Sequence, residues 1–313
     1  MSDRNNKPFE LTSNTPRSSK TTINIAGFHV YLYGVDSLTP EQAHDTIVLF
    51  HIHGRTRTYT DAEAIAHELL FRFRKRGGTR KGLVVATFDN RNHGMRAACL
   101  HKSLRVSFLA TDKVFSRSIT WRCKTGKGEI PDMRMTALWD LSQLRTSDGI
   151  VLDIQIVQKH LATYVDGAFL PTEFIATGLS LGGHATWNIL AEEPRITKAI
   201  IIVGSPNLTD LLLERLRGYT STADVPDGTR EWPRSIAKLY QDRDEAILKI
   251  SGKSILILNG LTDTLVPSRF TRPWVEKYAA SNQVEFIEQK ENGHWLSYEM
   301  MDRIVDWLLP VLS

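Results

Sequence analysis

One stretch of the sequence constrains the fold more than any other: Phe174-Ile-Ala-Thr-Gly-Leu-Ser180-Leu-Gly-Gly-His184. Its first half is apolar and strand-like, and the segment that follows, His184–Glu193, is helix-like. Gly178, Ser180 and Gly182 form a G-x-S-x-G pattern at the junction. Glycines two positions before and after a serine let a strand and a helix pass closely, with the serine in a strained turn between them. The stretch therefore predicts a strand, a sharp turn that exposes the serine hydroxyl, and a helix.

The segments around this stretch alternate between strand-like and helix-like patterns. Apolar runs typical of strands covered on both faces occupy residues 45–53, 82–89, 196–203 and 253–259, and another strand is predicted at 283–289. Helical periodicity appears at 61–75, 132–141, 150–164, 269–280 and 298–312. Two short alternating runs, 21–27 and 28–34, predict an antiparallel hairpin at the sheet edge. This order predicts an α/β fold with a mostly parallel central sheet, helices on both faces and a small lid or insertion.

Three segments fall outside this alternation. Residues 1–20 are polar and lack an apolar run, so they predict a flexible N-terminal arm and no secretory signal. Residues 90–131 show little periodicity and are either an active-site wall or lid, or a disordered surface insertion. Residues 205–250 contain a predicted helical pair, which is a second candidate for a lid.

Charge and cysteine content limit the classes of partner. The 39 Lys and Arg residues exceed the 35 Asp and Glu residues only slightly, and they are spread along the chain. The densest basic patch, residues 72–76 with 80–81, suits the end of a helix, whose dipole favours positive charge there; a nucleic-acid contact is the alternative. No segment has the roughly 18 consecutive apolar residues of a membrane span. Cys99 and Cys123 lack metal-ligand spacing, which favours a reducing, cytoplasmic location, with one disulfide as the alternative. We therefore expect neither a nucleic-acid partner nor a membrane span.

Two further polar residues follow predicted strands. Asp263 lies in a turn after the strand at 253–259, and His294 lies in a loop after the strand at 283–289. In a parallel sheet of this kind, ligands bind beyond the carboxyl ends of the strands, so both side chains are expected to meet Ser180. A serine hydroxyl needs a base to remove its proton, and the imidazole needs a carboxylate to orient it. The order Ser180, Asp263, His294 therefore predicts a catalytic triad.

Two backbone N–H groups are candidates for an oxyanion hole. Leu181 opens the helix after the serine turn, and Arg55 follows Gly54 at the end of another predicted strand. We expect Gly54 to permit the tight turn that aims the Arg55 N–H, while the Arg55 side chain either meets an anionic substrate group or points to solvent. His51 and His53 alternate along a strand and so point to opposite faces, which argues against a shared metal. No metal or organic cofactor is predicted.

Five motifs occur where one superfamily carries them: His53-Gly54, Asp89-Asn-Arg-Asn-His-Gly94, Gly178–Gly182, Gly260–Pro267 and Gly293-His294. Together they resemble the α/β-hydrolase fold superfamily, and within it the prolyl-oligopeptidase-like and dienelactone-hydrolase-like branch. The match extends from about Thr21 to the C-terminus, which implies a single domain over residues 21–313 with insertions at about 90–131 and 205–250. Asn92 stands where a glycine often precedes the His-Gly pair.

The resemblance and the triad imply a serine hydrolase that cleaves a carboxylic ester or thioester of a small to medium organic substrate through an acyl-enzyme on Ser180. The expected partner is thus a small-molecule acyl substrate. Two alternatives remain open: the same triad used for peptide or C–C bond cleavage or acyl transfer, and a non-catalytic ligand-binding protein of this fold. Trp121, Trp232 and Trp295 either line the pocket or pack in the core. The sequence leaves open the natural substrate and whether the protein is a monomer or a homodimer.

Overall fold

The computed structural model describes residues 8–77, 79–97, 136–220 and 232–313. The strands are β1 (Lys20–Ile25), β2 (Phe28–Tyr33), β3 (Thr46–Ile52), β4 (Gly82–Thr87), β5 (Pro171–Leu179), β6 (Lys198–Ile202), β7 (Ser254–Gly260) and β8 (Gln283–Gln289). They form an eight-stranded sheet in the order β1-β2-β4-β3-β5-β6-β7-β8. The pairs β1–β2 and β2–β4 are antiparallel, and all the other neighbouring pairs are parallel. The predicted edge hairpin and mostly parallel sheet are confirmed.

The helices of the described residues are α1 (Pro40–His44), α2 (Tyr59–Arg76), α3 (Thr136–Tyr164), α4 (Leu181–Glu192), α5 (Leu208–Thr220), α6 (Arg234–Leu248), α7 (Arg272–Tyr278) and α8 (Tyr298–Leu312). One apolar cluster joins the sheet to α3 and α4, and a second joins its other face to α2 and α8. The sheet is therefore covered on both faces, as its apolar strands predict. In the part of the chain described, no helix is both long and apolar enough to cross a membrane.

Helix α3 differs from the sequence-based expectation, which placed two separate helical segments at 132–141 and 150–164. The structure has one continuous helix from Thr136 to Tyr164, with Gly149 in its interior. A Cβ atom at Gly149 would clash with the side chain of Arg91, so the glycine leaves room for that arginine to lie across the helix. The polar residues and the glycine interrupt the apolar periodicity without ending the helix.

Within the predicted insertion at 205–250, the structure has the expected helical pair, α5 and α6. Its apolar side chains form a third cluster with Val266, a residue of the loop that follows β7. Trp232 is buried in this cluster and stacks on Tyr240, with ring centroids 5.6 Å apart. Trp232 thus packs in a core. Of the other predicted insertion, residues 98–131 lie outside the described residues, as do Trp121, Cys99 and Cys123.

The segment that precedes β1 is held against the domain over residues 8–19, whereas the sequence predicts a flexible arm for residues 1–20. The Phe9 N–H donates to the carbonyl oxygen of Leu296 at 2.7 Å, and the Phe9 ring packs edge-on against Tyr298 at 5.5 Å. The Thr15 hydroxyl donates to the Glu68 carboxylate at 2.7 Å. These partners are distant in sequence, so composition gave no sign of them. Residues 1–7 lie outside the described residues.

Candidate active site

Ser180 occupies the turn between β5 and α4 in a strained conformation, with φ 58° and ψ −111°. The positive φ places this residue in a region that non-glycine residues rarely adopt, at a cost of about 1–3 kcal/mol. A Cβ atom on Gly178 would clash with the Gly182 backbone, and one on Gly182 would clash with the carbonyl of Ile52. Both positions therefore require glycine, because other backbone segments pass too close to leave room for a side chain. The G-x-S-x-G pattern in the sequence predicts this close approach.

His294 lies between the serine and a carboxylate. Its Nε2 atom is 2.7 Å from Ser180 Oγ, and its Nδ1 atom is 2.7 Å from Asp263 Oδ2. The neutral imidazole with its hydrogen on Nδ1 satisfies both contacts, because Nδ1–H then donates to the carboxylate and Nε2 accepts from the hydroxyl. The structure thus brings together the three side chains that the sequence placed at three different strand ends.

Asp263 is fully buried and is held by the backbone of its own loop. The Leu265 and Val266 N–H groups donate to its Oδ1 atom at 2.8 and 2.9 Å, which leaves Oδ2 for His294. Burial acts to raise the pKa of Asp263, but the hydrogen bond and charge of His294, with the two N–H groups, hold that pKa below its ordinary value. The carboxylate is therefore ionised at neutral pH and fixes the imidazole tautomer.

The two predicted oxyanion donors flank the serine. Leu181 is the first residue of α4, so its N–H has no carbonyl one turn earlier within the helix. On the other side, a Cβ atom at Gly54 would lie 3.6 Å from Ser180 Cβ, so the turn that carries Arg55 adjoins Ser180. The residue of this turn with a left-handed conformation is Thr56, with φ 60°. A side chain at position 54 would meet only ordinary van der Waals contacts.

His53 has a role that sequence reasoning missed. Its buried ring lies between two strand ends, with Nδ1 2.8 Å from the Gly54 carbonyl and Nε2 accepting the Asn90 N–H at 3.0 Å. Burial lowers the pKa of His53 to about 4, so the ring is neutral and bonds at both nitrogens. His53 thereby ties the Gly54–Arg55 turn to the loop after β4. In the sequence, the only indication of this role is that His53 directly precedes Gly54.

His184 is a second buried histidine beside the serine turn. It lies in the first turn of α4, and its Nδ1 atom accepts the Ser205 N–H at 3.0 Å. Burial lowers the pKa of His184 to about 3, which keeps the ring neutral and able to accept this bond. The contact joins the helix after Ser180 to the segment that leads into α5. The sequence shows the histidine but gives no signal for its partner.

The loop after β4 explains the asparagine at position 92. Asn92 adopts φ 65°, the left-handed conformation that glycine takes readily and asparagine tolerates better than most residues. The Asp89 carboxylate organises the loop by accepting the N–H groups of Tyr59 and Met95, each at 2.8 Å. A Cβ atom at Gly94 would clash with that carboxylate. Asn92 can therefore replace the glycine without a change in the backbone conformation of the loop.

His51 in β3 and His53 directly after that strand are both buried. Both ring nitrogens of His51 are buried without a hydrogen-bond partner among the described residues. Burial lowers the pKa of His51 to about 3. Over the ranges that the structure describes, no group of three or more His, Cys, Asp or Glu side chains is arranged to hold a metal ion.

No protein-family model and no curated protein matches the sequence. Among solved structures, TT1662 from Thermus thermophilus is similar, with a TM-score of 0.60 and 16% identity over 95% of this chain and 99% of that chain. The Pyrococcus furiosus esterase Pf2001 has a TM-score of 0.54 and 15% identity over 98% and 100% of the two chains. The Pyrococcus horikoshii acylaminoacyl peptidase has a TM-score of 0.58 and 11% identity over 94% of this chain and 42% of that chain. Together with the sheet order and the serine turn, these similarities show that the chain has the α/β-hydrolase fold.

Proposed function

We propose that the protein is a serine hydrolase that cleaves a carboxylic ester or thioester of a small to medium organic substrate. The observation that carries this proposal is the hydrogen-bonded chain from Ser180 through His294 to Asp263, with both links at 2.7 Å. These three residues lie at the carboxyl ends of β5, β7 and β8, where open α/β sheets bind their ligands. The similarity in fold to an esterase adds support.

In the first half of the proposed reaction, His294 Nε2 takes the hydroxyl proton as Ser180 Oγ attacks the acyl carbon. The carbonyl oxygen becomes an oxyanion, which accepts hydrogen bonds from the N–H groups of Leu181 and Arg55. The tetrahedral intermediate then collapses, the bond to the leaving group breaks, and His294 returns the proton to that alcohol or thiol. The acyl group is left on Ser180.

In the second half, a water molecule attacks the acyl-enzyme while His294 takes one of its protons. The bond from Oγ to the acyl carbon breaks, the acid leaves, and the proton returns to Ser180. Asp263 stays ionised throughout and stabilises the imidazolium form of His294. Every proton is accounted for by the side chains at the site, and the proposed mechanism uses no cofactor.

Peptide-bond cleavage by the same triad is the second candidate function, and the similarity in fold to an acylaminoacyl peptidase favours it. A binding protein without catalysis fits less well. The strained Ser180 backbone costs stability and does not help merely to hold a ligand. The two cysteines in the sequence favour a reducing compartment, so we propose a cytoplasmic enzyme.

A fluorophosphonate probe tests this function without knowledge of the substrate, because it reacts with an activated serine. Intact-mass analysis of the wild type should show one adduct, and Ser180→Ala should show none. Ser254→Ala is the matched control, since Ser254 starts β7 at the opposite end of the sheet, and it should label like the wild type. A folded wild type that stays unlabelled would contradict the proposal and favour the binding protein. Ester, thioester and peptide panels would then separate the two catalytic candidates.

A further inference from the structure

Asn292 precedes His294 by two residues and is fully buried. Its Nδ2 group donates to the carbonyl oxygens of Gly293 at 3.1 Å and Trp295 at 3.0 Å, the residues on either side of His294. An oxygen in the place of Nδ2 would face two carbonyl oxygens, so only the amide nitrogen fits this position. The side chain of Asn292 therefore clamps the backbone on both sides of His294, in the loop that follows β8, here called the histidine loop.

The backbone of Asn292 also contacts the loop that carries the carboxylate. The Thr262 N–H, one residue before Asp263, donates to the Asn292 carbonyl oxygen at 3.0 Å. A Cβ atom at Gly260 would clash with the carbonyls of Asn292 and Gly293, so the glycine lets the two loops touch. Asn292 is thus bonded to the loops of both Asp263 and His294.

The histidine loop needs such support because its own conformation is strained. Glu291, directly before Asn292, has φ 56°, which persists in a non-glycine residue only where its surroundings fix it. The His294 side chain is 19% exposed, so packing alone does not surround the imidazole. A shift of its ring by about 1 Å would break the hydrogen bond to Ser180.

We infer that Asn292 is a positioning residue, which acts through the backbone of the histidine loop to set His294 between Ser180 and Asp263. This inference rests on the proposed serine hydrolase function. Asn292 touches none of the reacting atoms of that mechanism. Its effect is on the geometry of the imidazole, so its loss should slow the reaction of Ser180 more than it weakens binding of the acyl group.

The test compares Asn292→Ala and Asn292→Ser with the wild type. In Asn292→Ala, the rate constant for fluorophosphonate labelling should fall on the order of 100-fold. The serine variant keeps one donor and should recover part of that loss. With an ester that the wild type hydrolyses, kcat should fall while KM changes little. The proton NMR signal of the His294 Nδ1–H, shifted far downfield by its bond to Asp263, should broaden or disappear in the alanine variant.

Asn282→Ala is the matched control. Asn282 lies at the opposite end of β8 from Asn292, and its Nδ2 group likewise donates to two carbonyl oxygens, those of Ile250 at 3.0 Å and Tyr278 at 3.1 Å. Its loss should lower the melting temperature but leave the labelling rate and the downfield signal unchanged. An equal fall in labelling rate in both variants would show a general stability effect and overturn the inference.

The outcomes separate the two proposals. If the wild type is not labelled, the serine hydrolase function fails. If the wild type and a folded Asn292→Ala are labelled at the same rate with the same downfield signal, only the positioning role fails. If neither variant folds, the inference is tested by measuring hydrogen exchange in the wild type. The side-chain amide protons of Asn292 must then exchange as slowly as buried backbone amides, and fast exchange would overturn the inference.

Discussion

The Nε2 atom of His294 lies 2.7 Å from the Oγ atom of Ser180, although 114 positions separate the two residues in the chain. The loop after β8 and the turn after β5 bring them together, with β6 and β7 lying between these strands in the sheet. The contact therefore depends on the register and order of the four parallel strands β5 to β8.

Replacing Asp263 by asparagine should keep the fold and remove most of the activity. The amide cannot hold the Nδ1–H tautomer of His294 as a carboxylate does, so we expect a fall in kcat on the order of 10⁴-fold. The measurement is hydrolysis of an ester that the wild type cleaves, with circular dichroism to check the fold. Asp244→Asn is the control, because Asp244 also accepts two backbone N–H groups but caps α5 instead. Similar losses in both variants would argue against the role of Asp263.

Replacing Gly182 by alanine should destabilise the protein and disturb the serine turn. The added methyl group would collide with the backbone carbonyl of Ile52, which cannot move without shifting β3. We expect a loss of about 1–3 kcal/mol in the free energy of unfolding, measured in urea. Gly54→Ala should cost less, since its methyl group would lie 3.4 Å from the nearest atom, the Leu179 carbonyl oxygen. Equal costs at the two positions would contradict the close-approach argument.

The buried histidines should make the protein sensitive to acid. Burial lowers the pKa of His51 to about 3, with a smaller contribution from neighbouring His53. In the unfolded chain a histidine has a pKa of about 6.5. Between these values the unfolded chain binds a proton that the folded protein does not, so stability falls as the pH falls through this window.

This linkage should contribute about 2 kcal/mol of lost stability at His51 between pH 7 and pH 5. His51→Leu should therefore reduce the pH dependence of the unfolding free energy, measured by urea denaturation at a series of pH values. Thr177→Val is the control: Thr177 pairs with His51 in the neighbouring strand and is buried, but it carries no titratable proton in this range. It should change the stability by the same amount at every pH.

Residues 8–10 should contribute to stability, in contrast to a flexible arm. Phe9→Ala removes an edge-on ring contact with Tyr298, and such aromatic pairs are worth about 0.5–1.5 kcal/mol. The free energy of unfolding should fall by about that amount, while Asn14→Ala, an exposed change in the same segment, should have little effect. The Phe9 amide proton, bonded to Leu296, should exchange slowly with solvent. Fast exchange would favour the flexible arm.

The order of the strands and helices along the chain, and the polar side chains that follow the strands, could be predicted from the residues alone. Continuous apolar runs and helical periodicity located the strands, because the period of a buried segment follows from its secondary structure. The glycines around Ser180 marked a close backbone approach, and the structure has that approach. Asp263 and His294 could be selected because polar residues directly after buried strands meet at one edge of a parallel sheet.

Contacts between distant segments could not be predicted in this way, because they arise only when the whole chain has folded. The pairing of Phe9 with Leu296, the left-handed turn at Thr56 and the amide clamp of Asn292 all depend on partners or loop shapes that periodicity does not encode. A hydrogen bond between residues far apart in the sequence leaves no pattern in the sequence around either residue, because it depends on how the intervening chain folds. The sequence thus located the three side chains of the proposed triad, and the packed loops set the distances between them.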